Sequence, residues 1–361
     1  MKKTLFTITV LLLALWVSFT QAEPRRLVLE YCTGTWCPWC PCGKTAALEI
    51  LAAYPNSMVI AYHGGSSDPW SYFNGYAIRS MLGFAAYPTG IVDRMNHPGN
   101  GSSYPYITYD MWMGLAQTRY NTSGTTQINV AVTGNTYNSG TRQLTTNVCA
   151  TALQTLTGQY KIVYVLTEDN VIYPQSGNGT CPGGSDYVHK WIARSVLNDP
   201  NGENLNTGTW NQNQTITKTI TTTLDASWVA TNCNVQIIVY KDSSAGLMFS
   251  TVEQGTKQGV TVPVGVSSNT GEVPEEYSLS QNYPNPFNPV THVQFSIPKS
   301  GNVTLKIYDM VGNLVAVYLD QYITAGIYNA EIDGSSWASG VYFYTLSTSD
   351  FTQTKKMTLV K

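Results

Sequence analysis

The chain has 361 residues, of which 43% are hydrophobic and only 12% charged, with a formal net charge of −2. That is enough apolar material for two or three packed cores. A near-neutral chain rich in Thr, Ser, Asn, Gln, Tyr and Gly lacks the basic footprint of a nucleic-acid binder, so no nucleic-acid partner is expected, and such a composition is common in exported β-rich proteins.

Met1 to Ala22 carries Lys2 and Lys3, an apolar run through Val17, and the small residues Thr20 and Ala22 before Glu23. This is the pattern of a cleavable signal peptide, 1–22. The run is short for a membrane span of about 20 residues, and Cys32 follows Glu30 and Tyr31 rather than the small residues of a lipid-attachment site. Export matters for the seven cysteines, because thiols outside the cytosol oxidise unless something keeps them reduced. Cys32, Cys37, Cys40 and Cys42 crowd one stretch, while Cys149, Cys181 and Cys233 are spread downstream. An odd count leaves at least one thiol unpaired or paired with another molecule.

The crowded stretch is TGTWCPWCPCG, Thr33 to Gly43. It lies between the strand-like LVLEY (Leu27 to Tyr31) and KTAALEILAAY (Lys44 to Tyr54), whose apolar residues recur at helical spacing. A thiolate at such a strand-to-helix turn faces unpaired N–H groups and the positive end of the helix dipole, which lowers its pKa from about 8.5 to roughly 3.5–7.5. Cys37 is therefore the expected nucleophile and Cys40 its partner. Pro38 suits the first helical turn, and Trp36 and Trp39 give the sulfur an apolar rim. Next come a strand, SMVIAYHGG (Ser57 to Gly65), a helix, FNGYAIRSMLGF (Phe73 to Phe84), and a strand, GIVDRM (Gly90 to Met95). A turn-rich NHPGNGSSYPY (Asn96 to Tyr106), with room for a hairpin, and a closing helix, TYDMWMGLAQTRY (Thr108 to Tyr120), follow. The βαβ crossover makes the first two strands parallel, so His63 ends on the same side as Cys37. It either touches the site or is a hydrogen-bonded histidine in a strand-end turn.

These residues resemble thioredoxin-like proteins, whose signature is a WCxxC turn and a distant cis-proline; AAYPTGIVDR places Tyr87-Pro88 just before a strand. More narrowly, TGTWCPWCPCG, IAYHGG, DPW and AYPTGIVDR resemble a secreted thioredoxin-like family named after a twenty-eight-kilodalton outer membrane protein, over residues 27 to about 260. The resemblance implies an α/β thioredoxin-like domain over 24–120 that uses a reversible Cys37–Cys40 disulfide. Pro88 would be cis beside that pair, and Tyr87, Trp36, Trp39 and His63 would face a protein or peptide thiol or disulfide. Glu30 lies near the family's buried carboxylate, one residue out of register, and is the implied acceptor of the Cys40 proton. Cys32 and Cys42 are additional. A bridge between them flanking the active pair is one reading, and a thiolate metal site over the four cysteines is another. Compact zinc sites favour separated CxxC knuckles and oxidation competes with metal, so neither metal nor cofactor is expected.

From 124 to 265, TQINVAVTG, RQLTTNVCATA, QYKIVYVLTED, QTITKTITTTL and NVQIIVYKD alternate or run apolar at strand length, predicting an antiparallel sandwich. Cys233 shares parity with inward-facing neighbours and Cys149 does not. GGSDYVHKWIARSVL (Gly183 to Leu197) has helix-compatible spacing and is expected to pack on the first domain. There His189 reads as a buried or capping residue, with a catalytic role as the alternative. A linker is expected at 266–276.

Residues 277–361 open with NYPNPFNP and then alternate strictly, with glycine turns, predicting a second small sandwich. The NYPNPFNP opening, KIYDMVGNLV, the GxY segments at Gly326 and Gly340 and the terminal KKMTLVK resemble the type A sorting domain of the type IX secretion system. That resemblance implies the secretion machinery as a partner and delivery to the cell surface or outer membrane, or secretion. The expected fold class is an α/β thioredoxin-like domain followed by two all-β immunoglobulin-like sandwiches. The expected function is that of an exported thiol–disulfide oxidoreductase using the CPWC pair. The alternative is a cell-surface binding or structural protein with a non-catalytic disulfide.

Overall fold

The computed structural model describes residues 24–95, 105–138, 140–261, 267–269, 274–299, 301–323, 325–335 and 337–361. The expected signal peptide, most of the turn-rich 96–106 segment and part of the expected linker lie outside them.

The first elements are β1 (Val28–Thr33), α1 (Cys40–Ala53), β2 (Met58–His63), α2 (Ile78–Met81), β3 (Thr89–Val92), β4 (Ile107–Thr108) and α3 (Trp112–Thr122). Every residue of β1, β2 and β3 is buried, as in strands covered on both faces. On one face Leu29, Tyr31 and Ala61 meet Ala47 and Ile50 of α1 and Trp112 of α3. On the other, Val28, Ile60 and Tyr62 meet Ile78 and Leu82 around α2. β1 runs parallel to β2 and antiparallel to β3. The helix expected over 73–84 shrinks to the four residues of α2.

The middle of the chain gives β5 (Ile128–Asn138), β6 (Gln143–Ala152), β7 (Tyr160–Glu168), β8 (Val171–Ile172), β9 (Val188–His189), β10 (Ile192–Val196), β11 (Glu203–Asn204), β12 (Thr215–Thr223), β13 (Cys233–Lys241) and β14 (Val252–Gly259). These do not build a free-standing sandwich. The largest sheet has nine strands, ordered β14-β13-β7-β10-β2-β1-β3-β4 with β11 on β7, so it runs across the expected boundary at 120–124. The reason is visible in β7 and β13, whose apolar runs bury them almost throughout and make them central. Their Tyr164, Val235 and Ile237 pack on Val130, Leu144 and Val148 of the three-stranded sheet β12-β6-β5. Their Val163, Val165 and Ile238 join the core beneath α2. β6, with one residue in two buried, and β12, which turns Ile216 and Ile220 inward, behave as one-sided strands. The segment expected to be helical at 183–197 is instead β9 and β10, and its Ile192 pairs with Ala61 of β2.

The last module comprises β15 (Ser267–Asn269), β16 (Ser278–Leu279), β17 (Val290–Ile297), β18 (Gly301–Tyr308), β19 (Leu314–Ile323), β20 (Gly326–Asp333), β21 (Gly340–Ser347) and β22 (Thr352–Leu359). Two four-stranded sheets, β15-β20-β17-β16 and β19-β18-β21-β22, close on a core of their own that includes Phe295, Leu305, Tyr344 and Met357. β15 falls inside the expected linker and pairs with β20. The basic terminus forms β22, with Met357 and Leu359 turned inward.

Candidate active site

Cys37 precedes α1 and Cys40 begins it, in a turn closed by the bond from the Cys40 N–H to the Cys37 carbonyl at 3.3 Å. Both are thiols here, so the expected Cys37–Cys40 bridge is not formed, and both are nearly sealed, at 2% and 3% exposure. The two sulfurs are unequal. A hydrogen bond from Cys40, aided by the N–H groups of Trp39 and Cys40, outweighs burial and brings the Cys37 thiol down to about 7. Burial, reinforced by the hydrogen bond to Cys37, pushes the Cys40 thiol far up. The shared hydrogen bond thus favours the thiolate on Cys37 and the thiol on Cys40.

The Cys37 sulfur lies 3.6 Å from the carbonyl of Tyr87. Tyr87-Pro88 is a cis peptide, and Pro88 presses on α1 at Gly43, where a Cβ would stand 3.0 Å from the proline Cβ. Trp36 donates from Nε1 to the Gly64 carbonyl at 2.7 Å and meets the Tyr87 ring edge-on at 5.2 Å. Gly65 has φ +98°, and a side chain there would run into the Trp36 indole, while one at Gly64 would run into Arg79 and the Tyr87 hydroxyl, which accounts for the glycine pair after His63. Trp36 and Trp39 remain 41% and 49% exposed, forming the expected apolar rim.

Thr33 and His63 end β1 and β2 as register partners. His63 is buried, and its Nδ1 lies 2.9 Å from Oδ2 of Asp68. Asp68 also accepts the backbone N–H groups of Thr35 and Trp70, both at 2.8 Å. Burial alone would raise this carboxyl, but the bonds from His63 and the two N–H groups more than reverse that and hold it below its usual range. Behind Cys40 is a small cavity whose walls include Thr33, Lys44, His63, Tyr187 and His189. Burial, with the neighbouring His63, brings His189 down to about 4, and its Nε2 lies 3.1 Å from the Tyr173 carbonyl.

Sequence reasoning missed the strap that closes this site, residues 173–189. The Ser176 N–H donates to the Thr35 carbonyl at 2.7 Å, and Gln175 donates to the carbonyls of Gly34 and Cys37 at 3.1 and 3.0 Å. Asn178 donates to the Pro38 carbonyl at 3.0 Å. A Cys42–Cys181 disulfide ties the strap to α1. The only sequence signal was the unassigned Cys181 in a Gly- and Asn-rich stretch.

Two expectations fail on strand parity. Cys32 does not pair with Cys42: it is a buried free thiol bonded to the Ala86 carbonyl at 2.8 Å, and burial pushes it up to about 11. Alternate residues of a strand face opposite ways, so Cys32 points to the sheet face away from α1 and Cys42. Glu30 shares that far face. Its carboxylate accepts Arg94 Nε and Nη2 at 2.6 and 2.9 Å and the Tyr62 hydroxyl at 3.0 Å, so it is a structural anion rather than a neighbour of Cys40.

A family model described as Outer membrane protein Omp28 matches residues 76–263, more than half of the chain. The chain belongs to the Omp28 family. The match covers Pro88 and the strap and begins downstream of the CPWC turn. A second model, the secretion system C-terminal sorting domain, matches residues 281–360. An Omp28 protein with this type IX tail is exported to the cell surface or outer membrane, or secreted. Among solved structures, HBP35 of Porphyromonas gingivalis is similar in fold, at 17% identity and a TM-score of 0.53, over 94% of this chain and 99% of that one. No curated protein matches.

Proposed function

We propose that this Omp28 protein is an exported thiol–disulfide oxidoreductase. A thioredoxin-like redox half, 24–120, is completed by residues 124–265, and the module at 277–361 serves as the export address. The observation that carries the reading is the geometry of the pair: Cys40 hydrogen-bonds the Cys37 sulfur, which lies 3.6 Å from the carbonyl of the cis Tyr87-Pro88 turn, beside the exposed Trp36 and Trp39. The Cys37 thiolate attacks a substrate disulfide, forming a mixed disulfide and releasing one substrate thiolate. Cys40 then loses its proton and attacks Cys37, which frees the second substrate thiolate and leaves Cys37–Cys40 oxidised. Two electrons pass to the substrate, and the reverse sequence oxidises a dithiol. The cis Tyr87-Pro88 turn beside Cys37 and the Trp36 and Trp39 rim suit an extended, partly apolar peptide.

The near-closure of Cys37 supports a second reading, a surface binding or structural protein whose cysteine pair does not turn over. Redox titration of the purified protein separates the two. A structural bridge titrates below about −300 mV, a catalytic one above it. Reduction of a disulfide-bonded model protein, lost in Cys37→Ser, supports the enzyme; no reduction by the wild type removes it.

A further inference from the structure

The second half of that reaction needs a base, because Cys40 is buried and its thiol retains its proton. We propose that His63, oriented by Asp68, accepts the Cys40 proton when Cys40 resolves the mixed disulfide on Cys37. The inference rests on the oxidoreductase reading and assigns the base within it.

The geometry is that of a base with its orienting carboxylate. Nδ1 of His63 lies 2.9 Å from Asp68, and in the neutral ring that donates from Nδ1 to this carboxylate, Nε2 carries the lone pair. Asp68 is fixed as an anion by the Thr35 and Trp70 N–H groups, so it stabilises the imidazolium that forms. Cys40 and His63 wall the same cavity. Between them, Thr33 is the register partner of His63 and its side chain bonds Cys40, so its hydroxyl can relay the proton.

The other groups at this cavity are excluded by their own contacts. Lys44 spends its ammonium on the Val188 carbonyl at 2.6 Å and lies over the Tyr187 ring. Lys190 enters as a further cation. Tyr31 and Tyr187 are phenols that burial raises further. His189 is turned to the Tyr173 carbonyl and is too weak a base. Glu30 lies on the opposite sheet face, held by Arg94. In the step itself the Cys40 S–H bond breaks to Nε2, the Cys40 thiolate forms the bond to Cys37, and the departing thiolate takes a proton from the imidazolium or from water. Atoms and electrons balance with no further reagent.

The test uses the reduced mature protein in a Cys149→Ser background, which removes the partly exposed spare thiol. Mixing with 5,5′-dithiobis(2-nitrobenzoate) gives two releases of thionitrobenzoate, the first from Cys37 attack and the second from resolution by Cys40. General bases are worth about 100-fold or more, so His63→Gln and His63→Asn should slow the second release at least about tenfold while the first changes less than about twofold. His63→Asn keeps a donor for Asp68 and controls for folding. A second release as fast in both variants as in the wild type overturns the assignment. Absence of any second release in the wild type instead sinks the oxidoreductase reading.

Discussion

Gln175 reaches across 138 residues of chain to donate a 3.0 Å hydrogen bond to the carbonyl of Cys37. The same amide nitrogen serves the Gly34 carbonyl, so the strap holds the backbone of the CPWC turn rather than merely lying over it.

Freeing that strap should therefore loosen and expose the site. The double variant Cys42→Ser, Cys181→Ser should lose roughly 2–5 kcal/mol, the usual cost of removing a native bridge, while Cys37 alkylates several-fold faster. Denaturant unfolding and timed alkylation with peptide mapping check both. Unchanged alkylation would show that the strap does not control access.

Cys37 should alkylate with a midpoint near pH 7, because its thiol titrates at about 7 and only the thiolate reacts. The rate rises as pH goes up through that value. Cys40→Ala removes the stabilising hydrogen bond and should move the midpoint upward, toward the free-thiol value of about 8.5. Cys40 labelling before Cys37 in the wild type would reverse the assignment.

Glu30→Gln tests the parity argument. Arg94 would be left buried without its counter-charge, a loss of about 3–5 kcal/mol, measurable by denaturant unfolding. Both thionitrobenzoate releases of the variant should stay within about twofold of wild type. A selective fall in the second would return Glu30 to the role of proton acceptor.

Deleting residues 277–361 removes a module with its own core. The remainder should keep its unfolding midpoint and Cys37 reactivity, and in a host with the secretion system it should accumulate in the periplasm. Surface delivery of the truncated chain would contradict the sorting role. Lost thiol reactivity would contradict the boundary.

Much of this architecture is written in local pattern. The apolar runs of β1 and β2 and the strict alternation of the last module announce their strands, and the CPWC turn announces its helix. What local pattern cannot carry is partnership at a distance. KIVYVL and VQIIVY read equally well as sandwich strands or as the middle of a larger sheet, and only the assembled layers decide. Cys32 and Cys42 look like neighbours in sequence, yet strand parity sends one to each side of the sheet. Parity likewise removes Glu30 from Cys40 and leaves Thr33 in its place. Asp68 stood in the DPW motif without a role until His63 folded against it.

The continuity of the nine-stranded sheet also bears on how this protein can be cut. Ala61 of β2 donates to the Trp191 carbonyl at 2.9 Å and pairs onward to β10. A fragment ending after α3 would keep α1 and α2 over the faces of β2 but leave the β2 edge at Ala61 without its β10 partner. Such a bare apolar border is a template for other chains. Residues 24–122 expressed alone are therefore expected to associate through that edge, which β10 covers in the whole chain.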